Sequence, residues 1–228
     1  MYRSHWGLRE IPFRGGVESR FYYESPAHEE ALARMQFLVE EHHRLGILSG
    51  IGGGGKSLLL EVFDRQLRRR GAQVVHLSLV GVDVRELLWC AAADLGANPD
   101  RQATEFQLWR LVLDCLAANR VHNCDTVFLL DDLDECDEHV LAAVQRLLEA
   151  GKSSAARLTI IAAWNTDQLR QLPPRLLAQA ELRIELAAWE ESDTANYLLQ
   201  SVLQAGGHEP PFSLAAIRRL HQLSHGVP

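Results

Sequence analysis

An α/β domain built on a parallel sheet is predicted by three observations. Gly50-Ile51-Gly52-Gly53-Gly54-Gly55-Lys56-Ser57 fits G-x-x-x-x-G-K-[ST] and stands between a short apolar run, Leu45 to Leu48, and a helical pattern opening at Ser57. A second apolar run, Thr126-Val127-Phe128-Leu129-Leu130, leads into Asp131-Asp132, as a strand covered on both faces does when it ends at the ligand-binding edge of an open sheet. Further apolar runs alternate with stretches of 3.6-residue period along the remaining chain.

The glycine-rich stretch asks for nucleoside triphosphate phosphates. Glycines at Gly50, Gly52, Gly53, Gly54 and Gly55 let successive backbone N–H groups turn inward around an anion, with Ile51 between them. Lys56 then reaches the β- and γ-phosphates, the Ser57 hydroxyl ligates Mg²⁺, and Ser57-Leu58 open a helix whose dipole points at the anion. So many glycines also make a loop whose order is expected to arrive with ligand.

In chain order, positions 1–24 are aromatic and turn-rich, with Trp6-Gly7-Leu8, Pro12-Phe13 and Phe21-Tyr22-Tyr23, and read as an arm packed on a domain. Phe21, Tyr22 or Tyr23 stand where they wall the base side of a nucleotide or simply fill a core. Ser25-Pro26 start a helix with an apolar stripe of Ala31, Met35, Leu38 and Val39. After the loop helix, Arg65, Arg68, Arg69 and Arg70 suit its negative C-terminal end better than a nucleic-acid contact. Val74 to Leu79 is a strand. Helices follow around Val84–Leu95 and from Thr104 to Ala118, with Trp89 and Trp109 read as core.

The acidic strand end is the second chemical centre. Asp131 is placed for the Mg²⁺ shell and Asp132 to orient or activate water, while most of Asp134, Glu135, Asp137 and Glu138 solvate and cap the next helix. That helix carries Val140, Leu141, Val144, Leu147 and Leu148. The strand Leu158–Ala163 leads into Trp164-Asn165-Thr166. Asn165 is a candidate for touching the γ-phosphate or attacking water, and asparagine at a strand tip serves turn chemistry as readily. Leu182–Leu186 is the last strand. Ser192 caps a helix to Leu203, Gly206-Gly207 break it, and a helix from Ser213 to about Leu223 completes a small lid.

Composition bounds the rest. The 228 residues suit one α/β domain with an appendage, and a net charge of −7 supplies no global basic field for nucleic acid. Cys90, Cys115, Cys124 and Cys136 form no C-x-x-C pair and read as buried thiols of a reducing compartment. The start lacks a signal-peptide pattern and no apolar run approaches a membrane span, so the expected location is cytoplasmic.

With these residues in view, the chain resembles AAA+ ATPases of the general secretion pathway A type, which are similar to the ATPases of DNA transposition systems. The resemblance rests on Met1-Tyr2, Trp6-Gly7-Leu8-Arg9-Glu10, Pro12-Phe13, Arg20-Phe21-Tyr22-Tyr23, Ser25-Pro26, His28-Glu29-Glu30-Ala31-Leu32, the loop, Arg175 to Leu186, and Ser224-His225-Gly226-Val227-Pro228. It implies a P-loop NTPase with an αβα core over 25–188, a helical lid over 189–228 that reads as truncated, ATP and Mg²⁺ as cofactors, and rings or arcs of like subunits acting on a protein partner assembly. Membrane association through a further region is compatible with the group. Three departures stand out. The group's Asp-Glu is here Asp131-Asp132, so hydrolysis is expected to be slow or the acid role to pass to Asp134 or Glu135. In the group, Gly-Val-Pro continues into a lid arginine that senses the γ-phosphate, and Pro228 is the last residue given. For the arginine supplied in trans, Arg183 and Arg175 are the candidates. Two other functions stay open: a slow nucleotide switch, because Leu129 to Glu135 also resembles the acidic strand end of signal-transduction NTPases, and a transposition-type DNA-binding ATPase, which the acidic balance disfavours.

Overall fold

The computed structural model describes residues 7–13, 22–151, 157–167, 172–207 and 212–228. Trp6, Arg20 and Phe21 of the expected arm lie outside them. The described elements are α1 (Pro26–Glu40), β1 (Leu45–Gly50), α2 (Lys56–Arg69), β2 (Gln73–Ser78), α3 (Val84–Asp94), α4 (Glu105–Val121) and β3 (Thr126–Asp131). They continue with α5 (Glu138–Ala150), β4 (Leu158–Asn165), α6 (Pro174–Gln179), β5 (Leu182–Leu186), α7 (Glu191–Gln204) and α8 (Leu214–Ser224).

The five strands form one parallel sheet in the order β2-β3-β4-β1-β5. Alternation along each strand sends side chains to opposite faces. On β3, Val127 and Leu129 pack with Leu38, Leu59, Leu60 and Phe63 of α1 and α2. Phe128 and Leu130 join Leu87, Leu88, Leu108 and Val144 of α3, α4 and α5 on the other face. All six β3 residues are buried, as an apolar run without polar alternation requires. The predicted αβα layering is therefore the observed one.

Local chemistry sets the helix ends. Ser25 caps α1 by accepting from the His28 amide, with Pro26 at the first helical position. Thr104 and Gln107 form a capping box on α4. Three expectations change. The α7 cap is Glu190, in a reciprocal pair with Asp193, so Ser192 sits inside the first turn. Trp109 is 3% exposed but Trp89 is 36% exposed, because it lies off the stripe of Leu87, Leu88, Ala91 and Ala92 that α3 buries. Of the four free cysteines only Cys136 is buried. The terminal arginines of α2 are tied within the chain: Arg65 to Glu61, Arg68 to Asp64, and Arg70 to Glu40. No helix among the described residues is long and apolar enough to cross a membrane.

Residues 7–13 pack against α7 and the segment before α8. Arg9 N donates to Ala205 O at the end of α7 at 2.7 Å, and Phe13 lies against Tyr197 and Phe212. Between α7 and α8, Thr194 Oγ1 meets His221 Nδ1 at 2.9 Å and Arg218 pairs with Glu191. Trp189 N donates to Gly226 O, which folds the Gly226-Val227-Pro228 end back toward the sheet.

Candidate nucleotide site

Parallel pairing aligns the strand tips that carry the chemistry. Gly50 of β1 pairs with Asn165 of β4, and Ser78 of β2 pairs with Asp131 of β3. Because β4 lies between β1 and β3, the glycine-rich loop and the acidic strand end flank Asn165 from its two sides. This is the edge where open α/β sheets take ligands.

The loop's conformation is written in its glycines. Gly55 occupies the N-cap of α2 at φ +92°, and a Cβ there would sit 2.8 Å from His28 Nε2. Only glycine meets both demands. No side chain caps α2, which leaves its first N–H groups without a side-chain acceptor, as a helix start that takes an anion has them. Gly54 N donates to Ile51 O at 3.1 Å, closing a turn inside the loop. Lys56 is buried, and its Nζ donates to Gly50 O at 3.0 Å and Ile51 O at 2.7 Å. Burial pulls the Lys56 ammonium below its ordinary range, opposed by Asp131, Asp134, Asp167 and Asp132. Ser57 is exposed on the first turn of α2 with Leu58 beside it, and the loop amide of Gly52 donates to Asp167 Oδ1 at 3.1 Å.

Across β4, Asp131 is buried and its Oδ1 accepts from Asp132 N at 3.0 Å. Asp132 stands at φ +54°, which turns the chain sharply after β3. Its Oδ2 accepts from Ser78 Oγ at 2.9 Å. Burial pushes the Asp132 carboxyl up, Asp131 adds to this, and the Ser78 hydrogen bond opposes it. Asp134 is buried and accepts from Asn165 N at 3.1 Å and from Asn165 Nδ2 at 2.9 Å. Asn165 is thereby oriented by a carboxylate. Glu135 is exposed at the turn, its N–H donating to Asp132 O, and it acts on Asp132 through charge. Thr166 N donates to Gly50 O at 3.0 Å, locking β4's exit to the loop.

The structure thus brings together Gly50 to Leu58, Asp131, Asp132 and Asn165, with Glu135 at the periphery. Sequence reasoning missed four neighbours. Ser78 is a polar residue at a strand tip, the same signal that picked out Asn165. Asp134, read as a helix-solvating or substitute acid, is what holds Asn165. His28, singled out only within the resemblance motif, and Asp167 reach the loop through tertiary packing. The arm aromatics divide: Tyr22 stacks edgewise on His28, and Tyr23 on Trp189. Val227, near the last residue, lies against Gly53.

The oxygen donors Ser57 and Asp131 suit a hard divalent cation, and the uncapped α2 N-terminus with Lys56 suits a polyphosphate. The residues present therefore fit Mg²⁺ and a nucleotide. An AAA-domain sequence profile matches residues 39–172, more than half of the chain. The chain belongs to the AAA-domain family. Outside that segment the likeness continues: the whole chain is 27% identical to the general secretion pathway protein A of Aeromonas hydrophila. It spans 42% of that protein's length. Among solved structures, this AAA domain resembles Cdc6p from Pyrobaculum aerophilum at a TM-score of 0.66 and 18% identity, covering 88% of this chain and 56% of that one. It also resembles the Aeropyrum pernix ORC2 protein, solved in ADPNP–ADP complexes, at 0.64 and 13%, covering 96% and 67%. The chain is a P-loop domain of the AAA+ ATPase family and similar along its length to secretion protein A.

Proposed function

We propose that this chain binds Mg-ATP in the loop Gly50–Ser57 and hydrolyses it slowly, as a secretion-pathway-A-like AAA+ ATPase that assembles with copies of itself and acts on a protein partner assembly. The observation that carries the reading is the convergence of Lys56 with Asp131, Asp132 and Asp134 around the tip of β4. In this reading Lys56 exchanges the carbonyls of Gly50 and Ile51 for phosphate oxygens, and the loop amides with the α2 N-terminus hold the rest of the polyphosphate. Ser57 and Asp131 hold the metal ion, which when bound neutralises the phosphates. Asp132 orients water toward the γ-phosphorus and takes its proton as the bond to the leaving ADP oxygen breaks, while Asn165, fixed by Asp134, positions the water or a γ-oxygen. We divide the chain into arm 1–24, core 25–188 and lid 189–228. Arg183 and Arg175 remain the candidates for completing a neighbour's site.

A slow switch is the second reading, favoured by the Ser78–Asp132 hydrogen bond and by the shorter acid at position 132. DNA is the less favoured partner, given a net charge of −7.

Phosphate release from Mg-ATP across a protein concentration series, with Lys56→Ala as the blank, tests the proposal. Turnover per chain is expected to climb with concentration and to vanish in the blank. ATP binding without turnover at any concentration would leave the switch. Asp132→Asn is expected to keep binding and lower turnover by roughly a hundredfold. Turnover that survives it but is lost in Asp134→Asn or Glu135→Gln would move the acid role to those residues.

A further inference from the structure

One carboxylate touches the phosphate loop itself, and no role in hydrolysis has been given to it. Asp167 lies two residues beyond β4, and its Oδ1 accepts the Gly52 N–H at 3.1 Å. The same side chain lies along the open flank of Gly52, where a Cβ would come 3.1 Å from Oδ2. It also acts on Lys56 through charge, together with Asp131, Asp134 and Asp132. A carboxylate on a loop amide and beside the loop lysine makes the contacts of a phosphate oxygen: an anionic acceptor, an inward N–H and a cation within electrostatic reach.

We infer that Asp167 is an affinity-setting residue of the nucleotide site, an intramolecular anion that competes with nucleotide phosphate for the loop. This rests on the nucleotide-binding reading above. An entering phosphate must displace the carboxylate from Gly52 N–H, so the hydrogen bond it forms there is offset by one that it breaks. The displaced carboxylate stays tethered next to the loop, and like charge at close range opposes the polyphosphate until a divalent cation offsets it. Asp131 and Asp134 are buried behind the strand tips and are held there by backbone or Asn165 contacts. Asp167 is exposed and free of such support in the contacts described, so it yields to ligand where the others do not.

The consequence concerns discrimination. A site with a built-in competitor holds nucleotide less tightly and exchanges it more readily than the glycine loop alone would, and it leans more on the divalent cation. The residue is a positioning and affinity determinant. It takes no proton and makes no bond to substrate.

The test is equilibrium binding of fluorescent ATP and ADP analogues, each with and without Mg²⁺, to the full chain and to its Asp167→Ala, Asp167→Asn and Lys56→Ala variants. Asp167→Ala is expected to bind roughly threefold to tenfold more tightly, the scale of one exposed charge-assisted contact. The gain is expected to be larger without Mg²⁺, because the repulsion is then unscreened by the cation. Asp167→Asn keeps the shape and one acceptor oxygen but removes the charge, and is expected to gain in the same direction by less. Unchanged or weaker affinity in Asp167→Ala, with Lys56→Ala losing binding, would overturn this inference and leave the site reading standing. Equal binding by the parent chain and Lys56→Ala would overturn the site reading itself, and the inference with it.

Discussion

At the residue scale the site turns on buried groups held in unusual states. His28 is 2% exposed and packed between Tyr22, Trp189 and Gly55, with Nδ1 held by Ser25 Oγ at 2.6 Å. Burial lowers it to about 4, with Asp193 acting in the opposite direction. The folded form therefore binds fewer protons than the unfolded chain between the ordinary histidine value of 6.5 and about 4. The contribution is fully present above pH 6.5 and is lost as pH falls through that window, up to roughly 3 kcal/mol in all. Thermal unfolding followed from pH 7.5 to 4.5 is expected to show a steep loss of Tm that flattens in His28→Gln. Asp132 moves the other way, its carboxyl raised by burial and by Asp131. If its ionised form serves the reaction, the acid limb of turnover lies above the ordinary carboxylate range. Ser78→Ala, by removing the hydrogen bond that favours the charged form, is expected to move that limb further up in a pH–rate profile. A limb unmoved by Ser78→Ala would separate Asp132 from the proton transfer.

Elements were legible where burial is strong and period is clear. Leu182–Leu186 matches β5 at both ends, and the capping chemistry of Ser25-Pro26, Thr104 and Ser213 marks the starts of α1, α4 and α8. β4 continues two residues past the apolar run because Trp164 and Asn165 still pair with Ser49 and Gly50. α6 gives no helical signal in the sequence: six residues opening on Pro174, with Leu176 buried, carry too little periodicity. The α7 cap was misplaced because Ser192 is the stronger capping residue, while the Glu190–Asp193 reciprocal pair wins through two bonds instead of one. Of the site, Gly50 to Ser57, Asp131 and Asp132 were readable because the chemistry lies within single runs. Asp134 with Asn165, Ser78 with Asp132, and Asp167 with Gly52 are separated in sequence and become neighbours only through the strand order. The loop–helix junction gives a prediction at this scale. Gly55→Ala places a Cβ against His28 at φ +92°, and is expected to cost about 1–3 kcal/mol and to lower nucleotide affinity together with Tm. A stable, fully binding variant would mean that the loop reshapes without penalty.

At the scale of the whole molecule, segments from both ends of the chain meet the loop end of the sheet. Tyr22 and Tyr23 lie against His28 and Trp189, and Val227 reaches Gly53. In the proposed reading, nucleotide in the loop bears on both of these contacts, and they are the route by which its state would reach a neighbouring subunit or a partner. Addition of Mg-ATP is accordingly expected to raise the sedimentation coefficient of the full chain at a fixed concentration, and Lys56→Ala to abolish the response. A coefficient indifferent to nucleotide would detach assembly from the site.

The most direct measurement is calorimetric binding of ATP, with and without Mg²⁺, to the parent chain, Lys56→Ala and Asp131→Asn. The reading expects Mg²⁺-dependent binding by the parent chain, loss of binding in Lys56→Ala, and loss of the Mg²⁺ dependence in Asp131→Asn. Equal, Mg²⁺-indifferent binding in all three would contradict it, because neither the loop lysine nor the acid at the end of β3 would then be holding the nucleotide.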